Sequence, residues 1–224
     1  MKEIKLAVQA VVKFILGLVF VGVMLFLPAG SLQYRNGWLF ICLLFVPIFL
    51  LGVVLMIKAP SLLEKRLNVK EKEEAQKEIV AVSGLFFFFG FVVAGLDFRF
   101  GWSQMPQWVV IAASAVLLIS YGLYAEVMRE NAYLSRTIEV QEGQKVVDTG
   151  LYGIVRHPMY AVTVWLFLSI PLVLGSWWSL LCFVPYPVLM ALRIRNEEQV
   201  LEQGLAGYEA YKKRVKYRMI PFIW

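Results

Sequence analysis

Four apolar runs, each about as long as a bilayer is thick, decide what this chain can fold into. They cover about Val8–Leu27, Trp38–Ile57, Ile79–Leu96 and Gln107–Ala125. A transmembrane helix takes roughly 20 mostly apolar residues, and within lipid the backbone must satisfy all of its own hydrogen bonds, which helices do. Charged residues make up only 17% of the 224, against roughly 25% in soluble domains. The sequence therefore specifies an integral membrane protein. Lys2 and Lys5 before the first run give it the look of a signal peptide. The run is long enough to span, however, and no small-residue cleavage motif follows, so it reads as a retained first helix.

The connections are short. Pro28–Gly37 (PAGSLQYRNG) ends the first span with turn residues, and Trp38 stands as an interfacial anchor. Lys58–Lys77 interleaves acids and bases, and from Pro60–Ser61 onward it has the character of a solvated connecting helix. Phe86–Phe89 reads as lipid or core packing, and Asp97–Pro106 as a short turn. The fourth helix should continue past Glu126, Arg129 and Glu130 into water, ahead of a polar segment reaching Gly150. Two further arms, Ala161–Leu174 and Trp177–Leu192, flank a Gly175–Ser176 break, and Pro185 and Pro187 should kink the second. At 1.5 Å per residue each arm reaches roughly 21–24 Å, short of the ~30 Å hydrocarbon core.

The expected fold is thus an all-α integral membrane protein with about six membrane helices in one domain. Residues 1–126 hold four spans, and residues 127–224 hold a helical hairpin (160–192) and a polar tail. With the N-terminus inside and six passes, 20 of the 22 Lys and Arg fall on the inner side, leaving only Arg35 and Arg99 outside. By the positive-inside rule both termini and the tail are cytoplasmic. The net charge of +6 follows from this distribution and does not call for nucleic acid. Cys42 and Cys182 lie inside apolar blocks as lone buried thiols, and one His without a Cys pair makes no metal site.

The odd stretch is Asp148–Tyr160, DTGLYGIVRHPMY, which holds the only histidine, His157. A helix that descends and returns places its two ends side by side. Arg156, His157 and Tyr160 should therefore meet Arg193, Glu197 and Glu198 near the membrane boundary, where ionisable groups pair or bind something. A structural ion pair at a helix end is the plain alternative. As a ligand site, the cluster offers Arg and His for an anion, Glu for hydroxyls or a cation, and Tyr152, Tyr160, Tyr208 and Tyr211 for a planar ring. An adenosyl cofactor with a carboxylate, a diol and a sulfonium matches that set. The sequence has no G-x-G-x-x-G after a strand and no G-K-[ST].

Gly150–Tyr160 resembles the G-x-Y-x-x-x-R-H-P-x-Y signature of the isoprenylcysteine carboxyl methyltransferase family and of related phospholipid-methyltransferase-like membrane proteins. Arg193 with Glu197–Glu198 is similar to its R-x-x-x-E-E element, and Tyr208–Ile223 to its C-terminal Y-x-x-Y-x-x-x-V…P-F segment. Asn131 stands where the family has an upstream Asn, while Val162 departs from the Gly that many members carry. The resemblance covers roughly Asn131–Ile223. It implies S-adenosyl-L-methionine as methyl donor, bound by Asn131, Tyr152, Val155, Arg156, His157, Pro158, Tyr160, Glu197, Glu198, Tyr208 and Tyr211. Arg193 would orient or neutralise an acidic acceptor. An amine acceptor would need deprotonation, for which His157 or a Glu could serve. The acceptor would be lipophilic, most simply a carboxylate, reached from the surrounding membrane lipids of a prokaryotic cytoplasmic membrane. A lipid amine N-methyltransferase and an NADPH-dependent sterol-reductase-like enzyme are the alternatives. A transporter would need broken helices in both halves, whereas the polar residues here concentrate in one.

Overall fold

The computed structural model describes residues 2–67, 74–135 and 138–224, with the backbone alone for residues 2, 3 and 74–76. All regular elements among them are helical. They run α1 (Lys2–Ala29), α2 (Arg35–Lys58), α3 (Pro60–Leu67), α4 (Glu74–Phe100), α5 (Gln107–Glu130), a 3-10 turn (Gly150–Gly153), α6 (Pro158–Val173), α7 (Trp177–Phe183), α8 (Tyr186–Gly204) and α9 (Tyr208–Arg214). Part of the charged connection Lys58–Lys77 lies outside the described residues, as does Arg136.

Five stretches are long and apolar enough to cross a membrane: α1, α2, the Lys77–Phe100 part of α4, α5, and α7 with α8 together. Their outer faces carry large exposed apolar side chains such as Ile15, Phe49, Leu85 and Ile119, which suits lipid and not water. The expected six or so are thus five long helices and one short one, α6. Only the first hairpin arm is short. The second continues beyond Leu192 to Gly204, because Arg193–Gln203 favours helix as well as the apolar residues before it do. The expected kink falls at Val184–Pro185, between α7 and α8; Pro187 sits in the first turn of α8, where its missing N–H is harmless.

Two other expectations need correction. Asp97 and the three residues after it are not turn but the last turn of α4. Asp97 is buried, and its carboxylate accepts hydrogen bonds from the Ser103 backbone N (2.7 Å), Ser103 Oγ (2.6 Å) and Ser176 Oγ. This polar knot ties the end of α4 to the α6–α7 connection at one end of the helix bundle. Cys42 is exposed on the outer surface and not a buried thiol.

The core runs between the spans. Phe40, Phe91, Leu117, Ile170 and Phe183 are buried together, and α6 lies chiefly against α5. Within Phe86–Phe89 the four rings divide: Phe87 packs edge-on against Phe167 and Phe183, whereas Phe88 and Phe89 face outward. Gly90 is required by its neighbour, since a Cβ there would strike the Phe183 ring. The polar residues of the C-terminal half gather at the end of the bundle opposite the Asp97 knot, where α5 ends and α6 begins.

Candidate functional site

Pro158 starts α6 at its first turn, where a missing N–H leaves no bond unmade, and its ring sets the helical φ. His157 is the residue before it, held out of the helix as its cap. The backbone N–H groups of Arg156 and His157 donate to the carbonyls of Tyr217 (2.9 Å) and Arg218 (2.8 Å). The C-terminal tail is therefore fastened directly to the entrance of α6.

Behind this entrance lies Glu198 on α8, which is 3% exposed. Its Oε1 accepts from Arg156 Nε (2.8 Å) and lies 3.3 Å from His157 Nε2, and its Oε2 accepts from Arg218 Nε (2.8 Å). Arg156 Nη1 also donates to the carbonyls of Val215 (2.7 Å) and Lys216 (2.8 Å). Three of the carboxylate's roughly four acceptor directions are taken, and Glu198 does not line the cleft. Glu198 fastens three segments together.

Glu197, its neighbour, faces the other way into a cleft. Its Oε2 accepts from the Tyr160 hydroxyl (2.6 Å), and that hydroxyl accepts from Arg193 Nε (3.1 Å). Arg193 and Glu197, one turn apart on α8, are thus bridged through the phenol of α6. The cleft holds about 830 Å³ counted out to its open mouth. Asn131, Tyr152, Arg156, His157, Tyr160, Arg193, Glu197, Tyr208 and Tyr211 line it. Three of the expected residues do not: Glu198 lies behind the wall, Val155 packs into the loop, and Pro158 sits in the α6 backbone turn.

The tyrosines form the second wall. Asn131 caps α5, and its amide has both ends in use: Oδ1 accepts from the Tyr133 N–H (3.0 Å) and Nδ2 donates to the Tyr152 hydroxyl (3.0 Å). Tyr211 donates to the Tyr152 carbonyl (2.7 Å). Burial pushes the Tyr152 hydroxyl up to about 12, against the lowering effect of the Asn131 hydrogen bond. Burial also raises Tyr208 and Tyr211, and the nearby carboxylate of Glu198 adds to the shift at Tyr208. All three phenols are therefore neutral donors at ordinary pH. The Tyr208 hydroxyl has no hydrogen-bond partner among the described residues although it is buried and lines the cleft. A buried polar group left in that state costs about 1–3 kcal/mol, so a polar ligand atom is what would complete it. An adenosyl donor fits the set: Lys145 and Arg193 for its carboxylate, Glu197 for hydroxyls, tyrosine faces for its ring.

Sequence reasoning missed two parts. Arg218 was visible only as one basic residue among several in the tail. The described parts of the polar segment after α5, 133–135 and 138–147, lie along the cleft as a strap, contributing Tyr133, Gln144, Lys145 and Val146. Its one legible signal was the turn at Glu142–Gly143.

A second hollow adjoins the first. An apolar groove of about 1890 Å³, counted to its open side, runs between α1, α2, α5 and α6, lined by Phe14, Phe45, Phe49, Leu55, Tyr124 and Phe167. Arg66 of α3 closes one end, stacked 5.3 Å over the Tyr124 ring. Arg66 Nη1 also lies 3.9 Å from Met159 Sδ, and Met159 lines the polar cleft. One thioether and one guanidinium separate the two hollows.

Fold and site together define an all-helical membrane protein with a polar cleft at one end of its spans. Residues 108–206, somewhat under half of the chain, match the family described as phospholipid methyltransferase, which belongs to the group of membrane methyltransferases that includes the isoprenylcysteine carboxyl methyltransferases. The matched segment runs from α5 through α8 and stops short of Tyr208. A Delta(14)-sterol reductase of Mus musculus is 30% identical over 99 residues, which are 39% of this chain and 22% of that protein. The uncharacterized protein YpbQ of Bacillus subtilis (strain 168) is 30% identical over 101 residues, 45% of this chain and 60% of that protein. The matches thus span about a fifth and three fifths of these relatives' lengths.

Proposed function

We propose that this protein is an integral membrane methyltransferase that uses S-adenosyl-L-methionine, held in the polar cleft, to methylate a lipophilic acceptor, preferably at a carboxylate, drawn from the apolar groove. The observation that carries this reading is the shared wall. A polar cleft and a lipid-scale groove meet at Met159 and Arg66, so a water-soluble donor and a membrane-soluble acceptor have one place to react. The match to a methyltransferase family over 108–206 supports it. The Lys and Arg distribution supports a cleft that faces the cytoplasm.

When bound, the donor supplies an activated methyl carbon on a sulfonium: an acceptor oxygen forms the new C–O bond as the S–CH₃ bond breaks, and the electron pair stays on sulfur. The protein's part is position and environment. Glu197 and the Tyr208 hydroxyl hold polar groups of the donor. The Arg193–Tyr160–Glu197 chain fixes their height in the cleft. Arg66, at the end of the groove, would draw an anionic acceptor group toward Met159. A carboxylate acceptor carries no proton to remove, so no base is required. An amine acceptor would have to lose a proton, and among the groups lining the cleft Glu197 and His157 are placed to take it.

The test is binding and transfer by the purified protein in detergent. Labelled S-adenosylmethionine should bind and NADPH should not, and Glu197→Ala should weaken donor binding by about tenfold or more, the range of one charged hydrogen bond. Label passed to a lipid extract should be released as methanol by mild base if the product is an ester, and retained if it is an N-methyl amine. Binding of NADPH in place of the donor would overturn the reading.

A further inference from the structure

We propose that residues 219–224 insert Phe222 and Ile223 into an anionic phospholipid surface, and that this contact keeps the inner wall of the cleft fastened. Phe222 and Ile223 are 86% and 77% exposed, more than any other large apolar side chain among the described residues, those of the spans included. They come after the chain has left the spans and passed through a polar, basic segment, where exposed apolar bulk has no reason in water. Phe222 is also the one non-glycine residue with positive φ among the described residues, at 65°. A bulky side chain held in that strained conformation is a pointer to function.

Placement and charge name the partner. Trp224, in the same turn, packs in the cluster of Met190, Ile194 and Ile79, and the apolar span of α4 begins at Lys77. The tip therefore sits at the level where α4 and α8 meet the membrane boundary, beside faces that are themselves turned to lipid. Of the basic residues just before it, Lys212 is paired with Glu202, Arg214 with Asp148, and Arg218 with Glu198. Lys213 and Lys216 are exposed and have no acidic partner among the described residues. An apolar tip flanked by unpaired lysines is the chemistry of an interfacial anchor on anionic lipid.

The coupling to the cleft is short: residues 219–224 follow directly on a segment hydrogen-bonded to the entrance of α6. The carbonyls of Val215, Lys216, Tyr217 and Arg218 receive the Arg156 guanidinium and the Arg156 and His157 amides. A tail pulled from the bilayer would pull on those bonds.

Two measurements test this, neither of which needs a donor or an acceptor. A fluorophore on Ile223→Cys, in a Cys42→Ser/Cys182→Ser background, is read in nanodiscs of phosphatidylcholine with and without phosphatidylglycerol. Quenching by brominated lipid, stronger with phosphatidylglycerol, and little quenching by aqueous iodide are expected. Iodide quenching without lipid quenching overturns the anchor, as does a signal shielded from both that depends on protein concentration, which would mean a second copy covers the tip. Hydrogen exchange of the segment 154–160 then reads the coupling. Phe222→Ser/Ile223→Ser should exchange the Arg156 and His157 amides about tenfold faster, and Lys213→Gln/Lys216→Gln should do so in part. Unchanged exchange in both variants overturns it. Should the serine pair fail to fold, the lysine pair decides.

Discussion

Glu197 and Glu198 are adjacent on α8, yet the structure gives them separable roles, and charge-neutralising each in turn should show it. Glu198→Gln leaves Arg156, whose side chain is 4% exposed, without its buried counter-charge. Removing one partner of a buried ion pair costs roughly 3–5 kcal/mol. The Val215 and Lys216 carbonyls still accept from Arg156 Nη1, which places the loss at the lower end, about 3 kcal/mol. For a chain of this size that is a fall in Tm of about 6–12 °C. Glu197→Gln removes a charge at the cleft wall and weakens one hydrogen bond from Tyr160, about 1 kcal/mol and no more than about 4 °C. Thermal melting of both variants in the same detergent at neutral pH, followed by size exclusion of heated samples, reads the difference. The order should be wild type, Glu197→Gln, then Glu198→Gln in stability, with donor binding lost most sharply by Glu197→Gln at temperatures where all three are folded. If Glu198→Gln melts with the wild type, or Glu197→Gln is the less stable of the two, the division into fastener and ligand contact is wrong.

Gly150→Ala should be among the most damaging small substitutions: φ is +53° there, and a Cβ would overlap the Glu130 carboxylate that receives the Leu151 amide. Poor recovery of folded protein would show it, with Gly122→Ala in α5, where φ is ordinary and a Cβ meets nothing within 4 Å, as the tolerated control. Tyr152 has its hydroxyl pKa raised from 10.0 to about 12 on folding. Its share of stability is therefore whole below about pH 10 and lost as the pH rises through about 12, an amount near 3 kcal/mol. Tyr152→Phe should flatten that part of the alkaline melting profile. Asp97→Ala strands three donors in the knot at the other end of the bundle. It should lower stability by about 3 kcal/mol while leaving donor affinity as it was; a matching loss of affinity would show that the two ends are coupled.

The spans were legible because lipid leaves the backbone no choice: twenty apolar residues in a row are helix or nothing, and α1, α2, α4 and α5 begin and end within a few residues of the runs that announced them. What the hydrophobic pattern could not show was where helix continues through polar sequence. Arg193–Gln203 has good helix formers and no stop signal, so α8 runs on to Gly204, and Asp97 stays helical because its carboxylate finds three donors brought from elsewhere in the chain. The meeting of Arg156, His157 and Tyr160 with Arg193, Glu197 and Glu198 follows from a hairpin bringing its ends together. Which side each glutamate faces does not follow, because neighbours on a helix point about 100° apart and the phase was not fixed by an apolar stripe. Arg218 was illegible for a related reason: its partner Glu198 lies 20 residues away and nothing local marks it; of the strap only the turn at Glu142–Gly143 showed.

The phase of α8 has a consequence for how the site is held. Turning the helix by one residue so that Glu198 entered the cleft would bring Gln199 to the place behind the wall, and the two guanidinium groups there would lose their buried carboxylate. The observed phase spends the buried glutamate on cohesion and leaves the partly exposed one for a ligand. A buried carboxylate already held by Arg156, Arg218 and His157 and turned away from the cleft is a poor partner for a ligand hydroxyl. One that receives only the Tyr160 hydroxyl has an oxygen in hand. The same logic separates the tyrosines: Tyr152 and Tyr160 are committed by Asn131, Arg193 and Glu197, and the Tyr208 hydroxyl lacks a partner among the described residues. On the proposed function the ligand contacts would rest on Glu197 and Tyr208, and Tyr208→Phe should weaken donor binding while leaving Tm unchanged or slightly raised, because its hydroxyl has no partner among the described residues. A drop in Tm of several degrees for Tyr208→Phe would mean that the hydroxyl has a partner in solution, and that the cleft's open position lies elsewhere.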